Sequence, residues 1–418
     1  MEKLAVIGTG IAGMACAHFL RHKYDLAVYE KNDYAGGHTN TVTVNEEGRN
    51  VYIDTGFMVF NHVTYPYLTR LFSQLGVPTK KTSMSFSVQH VPSGLEYCGS
   101  GLNGLFAQRK NLFSLRHIRM LSEIARFNRE SIRILDDPAY DDHSLGRYME
   151  ENGFSNDMLW KYLIPMSSAV WSTPMDLMLE FPAKTLVRFF YNHGFLGLNT
   201  QHQWYTVVNG SATYRDILTA PFKDRIRLKD PVKEVKRSGS KVRVLSGSGA
   251  QEFDKVIFAS HGDEALRMLA EPAPDEKRLL GKFSYQENIA TLHTDERIMP
   301  KKRLAWSSWN YRIEEKAGRL SPSTIYWMNS LQQVSDKKNY FVSINDPGNI
   351  DPKKVIRTIV YTHPLFDVGA IKAQNELGKL NENGPVYYCG SYFRYGFHED
   401  ALMSAVELCN HITGEKVL

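Results

Sequence analysis

The first thirty residues alternate between apolar runs and a glycine-rich break. Leu4 to Ile7 form an apolar run of strand length, and Ala12 to Leu20 place apolar residues at helical spacing. A third apolar run, Asp25 to Tyr29, is typical of a second strand and ends at Glu30. The break after the first strand contains Gly8, Gly10 and Gly13. The pattern predicts a strand, a glycine turn, a helix and a second strand that ends on an acid.

This arrangement has the chemistry of a dinucleotide-binding turn. Gly8 permits the tight turn, Gly10 lets a pyrophosphate approach the backbone, and Gly13 lets the helix pack closely on the strand. The helix start directs unpaired N–H groups at the phosphates. Glu30 follows the loop by about 20 residues, where an acid accepts hydrogen bonds from a ribose hydroxyl and its charge repels a 2′-phosphate. We therefore expect a dinucleotide other than NADP at this turn.

Other apolar runs of the chain also end in glycine turns, at Gly36-Gly37, Gly56, Gly390 and Gly396. The doublet gives the backbone the freedom to approach a second, more extended part of a cofactor. Gly390 and Gly396 separate a predicted strand from a predicted helix that Glu399 or Asp400 is placed to cap. Alternating short strands after residue 225 end in an apolar strand, Val256 to Ala259.

Composition and charge restrict the class of protein. A chain of 418 residues with 43% hydrophobic residues can bury a sizeable core and divide into two domains. The net charge is +5, from 50 basic and 45 acidic residues. That charge is too mild to indicate nucleic acid but is compatible with an anionic substrate or a membrane surface. We therefore expect no nucleic-acid partner.

The sequence also disfavours a metalloprotein, a disulfide-stabilised protein and a membrane-spanning protein. The four cysteines lack the paired spacing of a zinc site or a disulfide framework; they are Cys16, Cys98, Cys389 and Cys409. The N-terminus lacks the pattern of a secretory leader, and no apolar run approaches the roughly 20 residues that span a bilayer. We expect a cytoplasmic protein without a metal, either free or peripheral on the membrane surface.

The glycine turns lie within longer stretches that carry a family resemblance. These stretches are GTGIAG (8–13), GGHTNTV (36–42), IDTGFMVFN (53–61), IPMSSAVWS (164–172) and GFHEDALMSAVEL (396–408). They resemble the FAD-binding framework of the flavin amine oxidase and phytoene desaturase superfamily, and within it a bacterial branch of predicted FAD-dependent oxidoreductases. That branch is also similar to the flavin-binding N-terminal part of plant cyclopropane fatty acid synthases.

The resemblance implies an α/β fold with a doubly wound, Rossmann-like FAD-binding domain and a mixed α+β substrate domain. The implied FAD-binding domain consists of residues 1–80, 204–284 and 384–418, and the substrate domain of residues 81–203 and 285–383. We expect FAD to be bound noncovalently, because no cysteine or histidine lies in a pattern that suggests a flavin bond. The residues implied to bind FAD are Gly8, Gly10, Ile11, Ala12, Gly13, Glu30, Lys31, Gly36, Gly37, His38, Thr55, Gly56, Phe57, Val232, Val235, Gly390, His398, Glu399, Asp400 and Ala401.

No single residue stands out as the catalyst, since flavin chemistry needs a positioned substrate and exclusion of water more than a base. His38 and His398 are the catalytic candidates because both lie in the cofactor-contact stretches, and His261 and His293 are weaker candidates. Many amine oxidases carry a lysine on a substrate-side strand, and alignment by eye places Ile289 at that position. They also usually carry arginine where this chain has His38. Both departures disfavour amine oxidation.

Two further sets of residues bear on the substrate. Phe57 and Trp171 are the substrate candidates, because both are aromatic and lie in the stretches that carry the resemblance. The wider aromatic set, which either packs the core or lines a channel, is Trp160, Trp204, Trp306, Trp309, Phe60, Phe189, Phe190 and Tyr191. Residues 105–130 interleave apolar and basic side chains, so this stretch either covers the protein's own core or lies on anionic lipid.

These observations predict an FAD-dependent oxidoreductase that acts on an apolar substrate, an acyl chain of a lipid. Two alternatives stay open at this point. One is a flavin amine oxidase, which would release peroxide with polyamines or aromatic amines. The other is a flavoprotein without turnover of its own that supports a lipid methyltransferase as its partner.

Overall fold

A five-stranded parallel sheet forms the centre of one half of the molecule. The computed structural model describes residues 1–197 and 200–418. The order of the sheet is Ile226–Arg227, Tyr24–Tyr29, Glu2–Ile7, Lys255–Phe258 and Val386–Tyr388, with all neighbours parallel. These strands come from distant parts of the chain. The expected α/β fold with a doubly wound domain built from discontinuous segments is therefore confirmed.

Alternate side chains of the central strand enter two different cores, as the period of two in a strand requires. Leu4 and Val6 pack beneath the first helix, Ile11–Leu20. Ala5 and Ile7 face an antiparallel sheet on the opposite side. The strands of that sheet are Val232–Ser238, Lys241–Ser246 and Gly249–Phe253. Because both faces are covered, the parallel strands are continuous apolar runs without polar alternation.

The elements predicted from the sequence are present with small differences at their ends. The first strand begins at Glu2 instead of Leu4, and the second begins at Tyr24 instead of Asp25. Glu2 lies opposite Tyr24 in the sheet, so backbone pairing extends beyond the apolar run. The strand Lys255–Phe258 ends one residue before the predicted end at Ala259.

A seven-stranded sheet organises the other half. Its order is Val355–Leu365, Ser284–His293, Phe341–Ile344, Arg319–Trp327, Trp309–Lys316, Phe86–His90 and Leu95–Cys98. The neighbours are antiparallel except Trp309–Lys316 and Phe86–His90, which run parallel. The sheet therefore combines a strand pair from before residue 100 with strands from after residue 284. The domain boundaries proposed from the sequence stay a prediction.

The remaining strands form a hairpin, Thr41–Glu46 and Arg49–Asp54, and a small sheet of Phe60–Asn61, Trp204–Val207 and Thr79–Thr82. The other α-helices are Pro66–Leu75, Gly101–Leu105, Leu115–Glu130, Leu145–Glu151, Asn156–Met158, Ile164–Trp171, Ala183–Asn192, Ala212–Thr219, Gly262–Met268, Pro274–Leu280, Met328–Leu331, Val368–Gln374 and His398–Thr413. A π-helical turn, Leu159–Leu163, joins two of them into one helical run from Asn156 to Trp171. Within the described residues, no helix has the length and apolar character needed to cross a membrane.

Candidate functional site

A cavity of about 840 Å³ opens at the carboxyl ends of the parallel strands and continues toward the seven-stranded sheet. Gly8, Glu30, Ala259 and Gly390 line it, and each lies at or just beyond the end of a strand of the parallel sheet. Ligands of doubly wound folds bind at this edge, where the loops leave the sheet. The fold therefore brings the predicted cofactor stretches from both ends of the chain to one site.

The space around each of the three glycines of the first turn is different. Gly8 has a φ of +103°, and a Cβ there would lie 2.8 Å from the carbonyl oxygen of Ala259. A Cβ on Gly13 would lie only 1.9 Å from the carbonyl oxygen of Gly8. A Cβ on Gly10 would meet no atom within 4 Å, although Gly10 lines the cavity. Gly8 and Gly13 thus shape the turn, while Gly10 leaves space for a ligand.

The side chain of Glu30 stabilises this turn through hydrogen bonds. Its buried carboxylate accepts hydrogen bonds from the backbone N–H and the hydroxyl of Thr9, the former at 3.1 Å. It also accepts from the backbone N–H and side-chain amide of Asn32, both at 2.9 Å. Beside it, Lys31 forms an ion pair with Glu264 at 2.6 Å. The ribose contact of Glu30 stays a prediction, but its part in the loop is one that the sequence did not indicate.

The second glycine turn lies against the first. Gly36 and Gly37 have φ values of +126° and +57°, and a Cβ on Gly37 would lie 3.3 Å from Cα of Gly10. The backbone N–H of Gly36 donates to the Thr9 hydroxyl at 3.2 Å. Both turns therefore form one side of the cavity, and only small residues fit where they meet.

Some predicted cofactor residues line the cavity and others do not. Those that line it are Gly8, Gly10, Ile11, Ala12, Glu30, Lys31, Gly36, Gly37, His38, Gly56, Phe57, Val232, Gly390, His398 and Ala401. The side chain of Val235 is buried in the core beneath the parallel sheet, and a contact of its backbone with FAD stays a prediction. Thr55 lies one layer behind the cavity, where its hydroxyl is 2.8 Å from that of Tyr361.

Glu399 and Asp400 do not line the cavity, because their side chains complete helix starts, and their contact with FAD stays a prediction. The Glu399 carboxylate accepts from the backbone N–H groups of Tyr67 and Leu68, at 2.8 and 2.9 Å, at the start of helix Pro66–Leu75. Asp400 accepts from the N–H of Phe397 at 2.9 Å, at the start of its own helix. Burial raises the pKa of both carboxyl groups to about 7. Only Asp400 therefore caps the helix that the sequence analysis proposed.

Two histidines of the cavity wall carry the candidate polar chemistry. His398 is stacked on Phe57 with ring centroids 4.0 Å apart, and its Nε2 lies 2.5 Å from the hydroxyl of Tyr214. That hydroxyl also bonds to the hydroxyl of Thr39. Burial lowers the pKa of His398 to about 3 and that of His38 well below its ordinary value. Both imidazoles are therefore neutral at pH 7.

His363 is a cavity residue that the sequence analysis missed, because no motif surrounds it in its strand. Its ring centroid lies 5.1 Å from that of His38, and its Nδ1 accepts from the side-chain amide of Asn288 at 3.1 Å. Burial, with the charge of His261 as a further cause, lowers the pKa of His363 to about 4. His261 also lines the cavity, whereas His293 is buried in the seven-stranded sheet and bonds to Ser343.

Aromatic side chains make up one group of the residues that line the cavity, which we call the aromatic end; they are Phe57, Trp171, Phe189, Phe195, Trp204, Trp309 and Tyr326. Trp171 packs on Phe189 at a centroid distance of 4.7 Å, and its indole N–H donates to the carbonyl of Tyr395 at 3.2 Å. The remaining members of the predicted aromatic set, Trp160, Trp306, Phe60, Phe190 and Tyr191, do not line the cavity.

Within the described residues, the charged side chains that line the cavity lie near Glu30, in the part that we call the nucleotide end, or are exposed at the rim. Those that line it are Glu30, Lys31, Asp230, Lys233, Glu264, Arg267 and Glu287. In the described part of the chain, the aromatic end has no lysine, arginine or carboxylate. Ile289, aligned by eye with the amine oxidase lysine, is 49% exposed and does not line the cavity. Burial lowers the pKa of His193 at this end to about 4, so it is neutral as well.

Comparison with known sequences identifies one family. The profile of a family described as flavin containing amine oxidoreductase matches residues 11–349. The 1-hydroxycarotenoid 3,4-desaturase of Flavobacterium sp. (strain P99-3) is 51% identical over 43 residues, which are 10% of this chain and 9% of that protein. The chain thus matches less than a tenth of the length of this curated relative.

Solved structures share the fold over nearly the whole chain. Putrescine oxidase bound to putrescine has a TM-score of 0.68 at 15% identity, with 99% of both chains covered. A CLA-producing fatty acid isomerase from P. acnes has a TM-score of 0.68 at 14% identity, covering 99% of this chain and 98% of that one. Cyclohexylamine oxidase from Brevibacterium oxydans IH-35A has a TM-score of 0.67 at 16% identity, with 99% of both covered. At these identities the likeness concerns the fold alone.

Proposed function

We propose that this chain, which belongs to the flavin containing amine oxidoreductase family, acts on the acyl chain of a lipid. The family match shows that the protein is an FAD-dependent oxidoreductase. The acyl chain is our proposal, and it rests on the uncharged aromatic end of the cavity.

The residues around the glycine turns fit FAD. The open space at Gly10 suits a pyrophosphate, since any side chain there would enter the cavity. Glu30, which would bind the adenosine ribose, lines the cavity, and so do Gly36-Gly37 and His38, which would lie along the cofactor. The buried Nε2 of His38 has no hydrogen-bond partner within the described residues, so a cofactor polar atom would satisfy it. When bound, FAD takes up two electrons from a substrate C–H bond or returns them to a C=C bond.

The proposal rests on the aromatic end because an acyl chain can be buried there without contacting a charged side chain. Each CH₂ of an acyl chain that leaves water there gains about 0.8 kcal/mol, so a long chain binds tightly with few polar contacts. A protonated amine would lose its hydration at this end and find no carboxylate to replace it.

The neutral histidines suit a reaction that proceeds away from water. His398 and Tyr214 hold a hydrogen bond at 2.5 Å beside Phe57, where one of them donates and the other accepts. This pair can hold or pass a proton at His398 Nε2 without creating a charge in the ground state. Phe57 and Trp171 exclude water on the side where the acyl chain would lie.

The names of similar proteins point to two substrate classes. A fatty acid isomerase and a carotenoid desaturase are consistent with a long apolar substrate. Putrescine oxidase and cyclohexylamine oxidase favour the alternative of a flavin amine oxidase. The absence of lysine and carboxylate from the described aromatic end disfavours that alternative. A supporting role beside a lipid methyltransferase is a further proposal, for which stable complex formation without independent turnover would be the evidence.

The experiment mixes the yellow protein, under anaerobic conditions, with vesicles that contain unsaturated or methylated acyl chains. We expect the flavin absorbance to change and the extracted acyl chains to differ in their number of double bonds. Phe189→Glu, which places a carboxylate at the aromatic end, should abolish the response. Tyr191→Glu on the same helix is the matched control, since Tyr191 is half exposed and outside the cavity. Rapid reduction by a simple amine, with no response to lipid, would establish the amine oxidase alternative instead.

A further inference from the structure

Exposed apolar side chains are concentrated in one short segment on the surface. Phe113 is 89% exposed, Leu115 84% and Leu102 76%. Leu112 and Ile118 are also exposed, and we call these five residues the apolar ridge. Exposed apolar residues that occur singly are normal on a protein surface, but a contiguous group marks an interaction site.

The local sequence explains why the ridge faces outward. The helix Leu115–Glu130 buries His117, Met120, Glu123 and Phe127, whose spacing of three to four residues defines one face. Leu115 and Ile118 lie on the other face of the same helix. Leu112 and Phe113 belong to the 3₁₀ turn that precedes the helix, which begins where Ser114 accepts from the N–H of His117 at 3.3 Å. One face of this stretch therefore covers the protein's own core, as one of the two possibilities for residues 105–130 expected, and the opposite face is exposed.

A small cavity of about 140 Å³ adjoins the ridge, and we call it the cationic pocket. Lys110, Arg116 and Lys161 line it together with the hydroxyls of Ser93 and Ser114. Among the described residues that line it, the carboxylate is Asp157, which bonds to Arg116 at 2.6 Å and to Lys161 at 2.6 Å. Three cations against one carboxylate leave a net charge of about +2 in the pocket.

Further cations surround the ridge while the nearby carboxylates are buried beneath it. Lys301 and Lys302 are exposed, and their backbone N–H groups donate to the buried Glu96 at 2.9 Å. The backbone N–H of Glu96 in turn donates to the side chain of Gln108, at the base of the ridge. Arg119 is exposed and paired with Glu123, which is buried. The outer surface around the ridge is therefore basic.

We infer that the apolar ridge and the cationic pocket together form a docking surface for an anionic phospholipid bilayer. Apolar side chains flanked by lysine and arginine are the chemistry that enters the boundary between headgroups and acyl chains. The pocket offers ammonium, guanidinium and hydroxyl donors to a headgroup phosphate. A second copy of this chain is the less suitable occupant, because two basic surfaces would face each other. This inference goes beyond the proposed function and does not depend on it.

The docking surface and the large cavity are joined by one helical run. Lys161 lines the cationic pocket, and Val170 and Trp171 of the same run line the large cavity. Nine residues at 1.5 Å each place Val170 about 14 Å along the run from Lys161. Docking at the ridge would therefore hold the aromatic end within about three helical turns of the bilayer surface.

The test is sedimentation of the yellow holoprotein with vesicles of phosphatidylcholine alone and of phosphatidylcholine with phosphatidylglycerol in equal parts. We expect binding to the anionic vesicles, and binding weaker at about 1 M salt than at about 0.1 M, because screening shortens the range of the attraction. Phe113→Ser should lower the partition coefficient about tenfold. Lys110→Glu should lower it about five- to twentyfold.

Two matched variants serve as controls. Leu177→Ser removes another exposed leucine, and Lys223→Glu reverses another exposed lysine, both outside the ridge and the pocket. We expect both to bind vesicles as the wild type does, and all four variants to keep their bound FAD. Equal losses in variants and controls, equal binding to neutral vesicles, or no binding at all would overturn the inference. A dimer in light scattering that Phe113→Ser converts to a monomer would also overturn it, since a second copy would then cover the ridge.

Discussion

Substituting Gly10 and Gly13 one at a time by alanine separates cofactor binding from folding. At Gly13 the new methyl group would lie 1.9 Å from the carbonyl oxygen of Gly8, and that distance has to grow by about 1.5 Å to reach the ordinary contact near 3.4 Å. At Gly10 the methyl group would meet no atom within 4 Å, and the φ of −59° is one that alanine adopts freely. The same small change is thus incompatible with the turn at one position and compatible with it at the other.

The magnitudes follow from these contacts. Overpacking at Gly13 should destabilise the apoprotein by about 1–3 kcal/mol or more. At Gly10 the entropy gain and the weaker helix cap each amount to less than about 1 kcal/mol and oppose each other. Bound FAD changes the result, because the methyl group of Gly10→Ala enters the space of the pyrophosphate. Loss of two charge-assisted N–H bonds, at about 1.5–3 kcal/mol each, weakens FAD binding about 10²- to 10⁴-fold.

The assay compares the two apoproteins by thermal unfolding and then titrates each with FAD by fluorescence. We expect Gly10→Ala to unfold like the wild type and to bind FAD far more weakly, and Gly13→Ala to lose both properties. Wild-type affinity in Gly10→Ala would refute the position of the pyrophosphate. Wild-type stability in Gly13→Ala would refute the argument from close packing.

Three further outcomes test other parts of the site. Glu30→Ala should weaken FAD binding and also destabilise the apoprotein by about 1–3 kcal/mol, because Thr9 and Asn32 lose a buried acceptor; calorimetry of the apoprotein measures the second effect. Glu399→Ala should cost about 1–2 kcal/mol of stability by exposing the helix start at Leu68, while an FAD titration should give nearly wild-type affinity. His398 and His363 have pKa values of about 3 and 4 in the folded state, so the stability they contribute is present above the unfolded pKa near 6.5 and is lost as pH falls below it, by at most about 1.4 kcal/mol per pH unit each. Melting temperatures of the wild type and His398→Gln between pH 8 and pH 5 should diverge accordingly, and parallel curves would contradict the neutral state of His398.

The sequence predicted those parts of the site that local geometry determines. The first glycine turn, its helix and Glu30 lie within 30 residues, so their spacing already defines the strand, the turn and the acid. The relation of Glu399 to Leu68 could not be found in this way, because 331 residues separate them and only the packing of two helices brings them together. Which of Val232 and Val235 lines the cavity could not be predicted either, because the two faces of one strand lead to a core and to a cavity within three residues of each other.

The residues on the substrate side of the cavity were harder to predict from the sequence, for a related physical reason. His363 lies in a strand with no distinctive spacing, and its neighbours in space are His38 and Asn288, which come from two other segments. Among the tryptophans, composition alone does not separate Trp204 and Trp309, which line the cavity, from Trp160 and Trp306, which do not. Apolar content indicates how much apolar surface is buried, whereas the pairing of distant strands determines which apolar side chains face the cavity.

The parallel sheet has a consequence for how this protein is made. Its central strand leaves the ribosome about 380 residues before the edge strand Val386–Tyr388 and the helix carrying His398 and Ala401. At about 5–20 residues per second, the first strands wait roughly 20 to 80 s for the segment that closes their sheet. A nascent chain that stops before this segment has the glycine turn and the acid but not the wall contributed by Gly390 and His398. Yellow colour in a growing culture should therefore come from chains that include the helix His398–Thr413. Chains that terminate before this helix should be colourless fragments that are open to proteolysis.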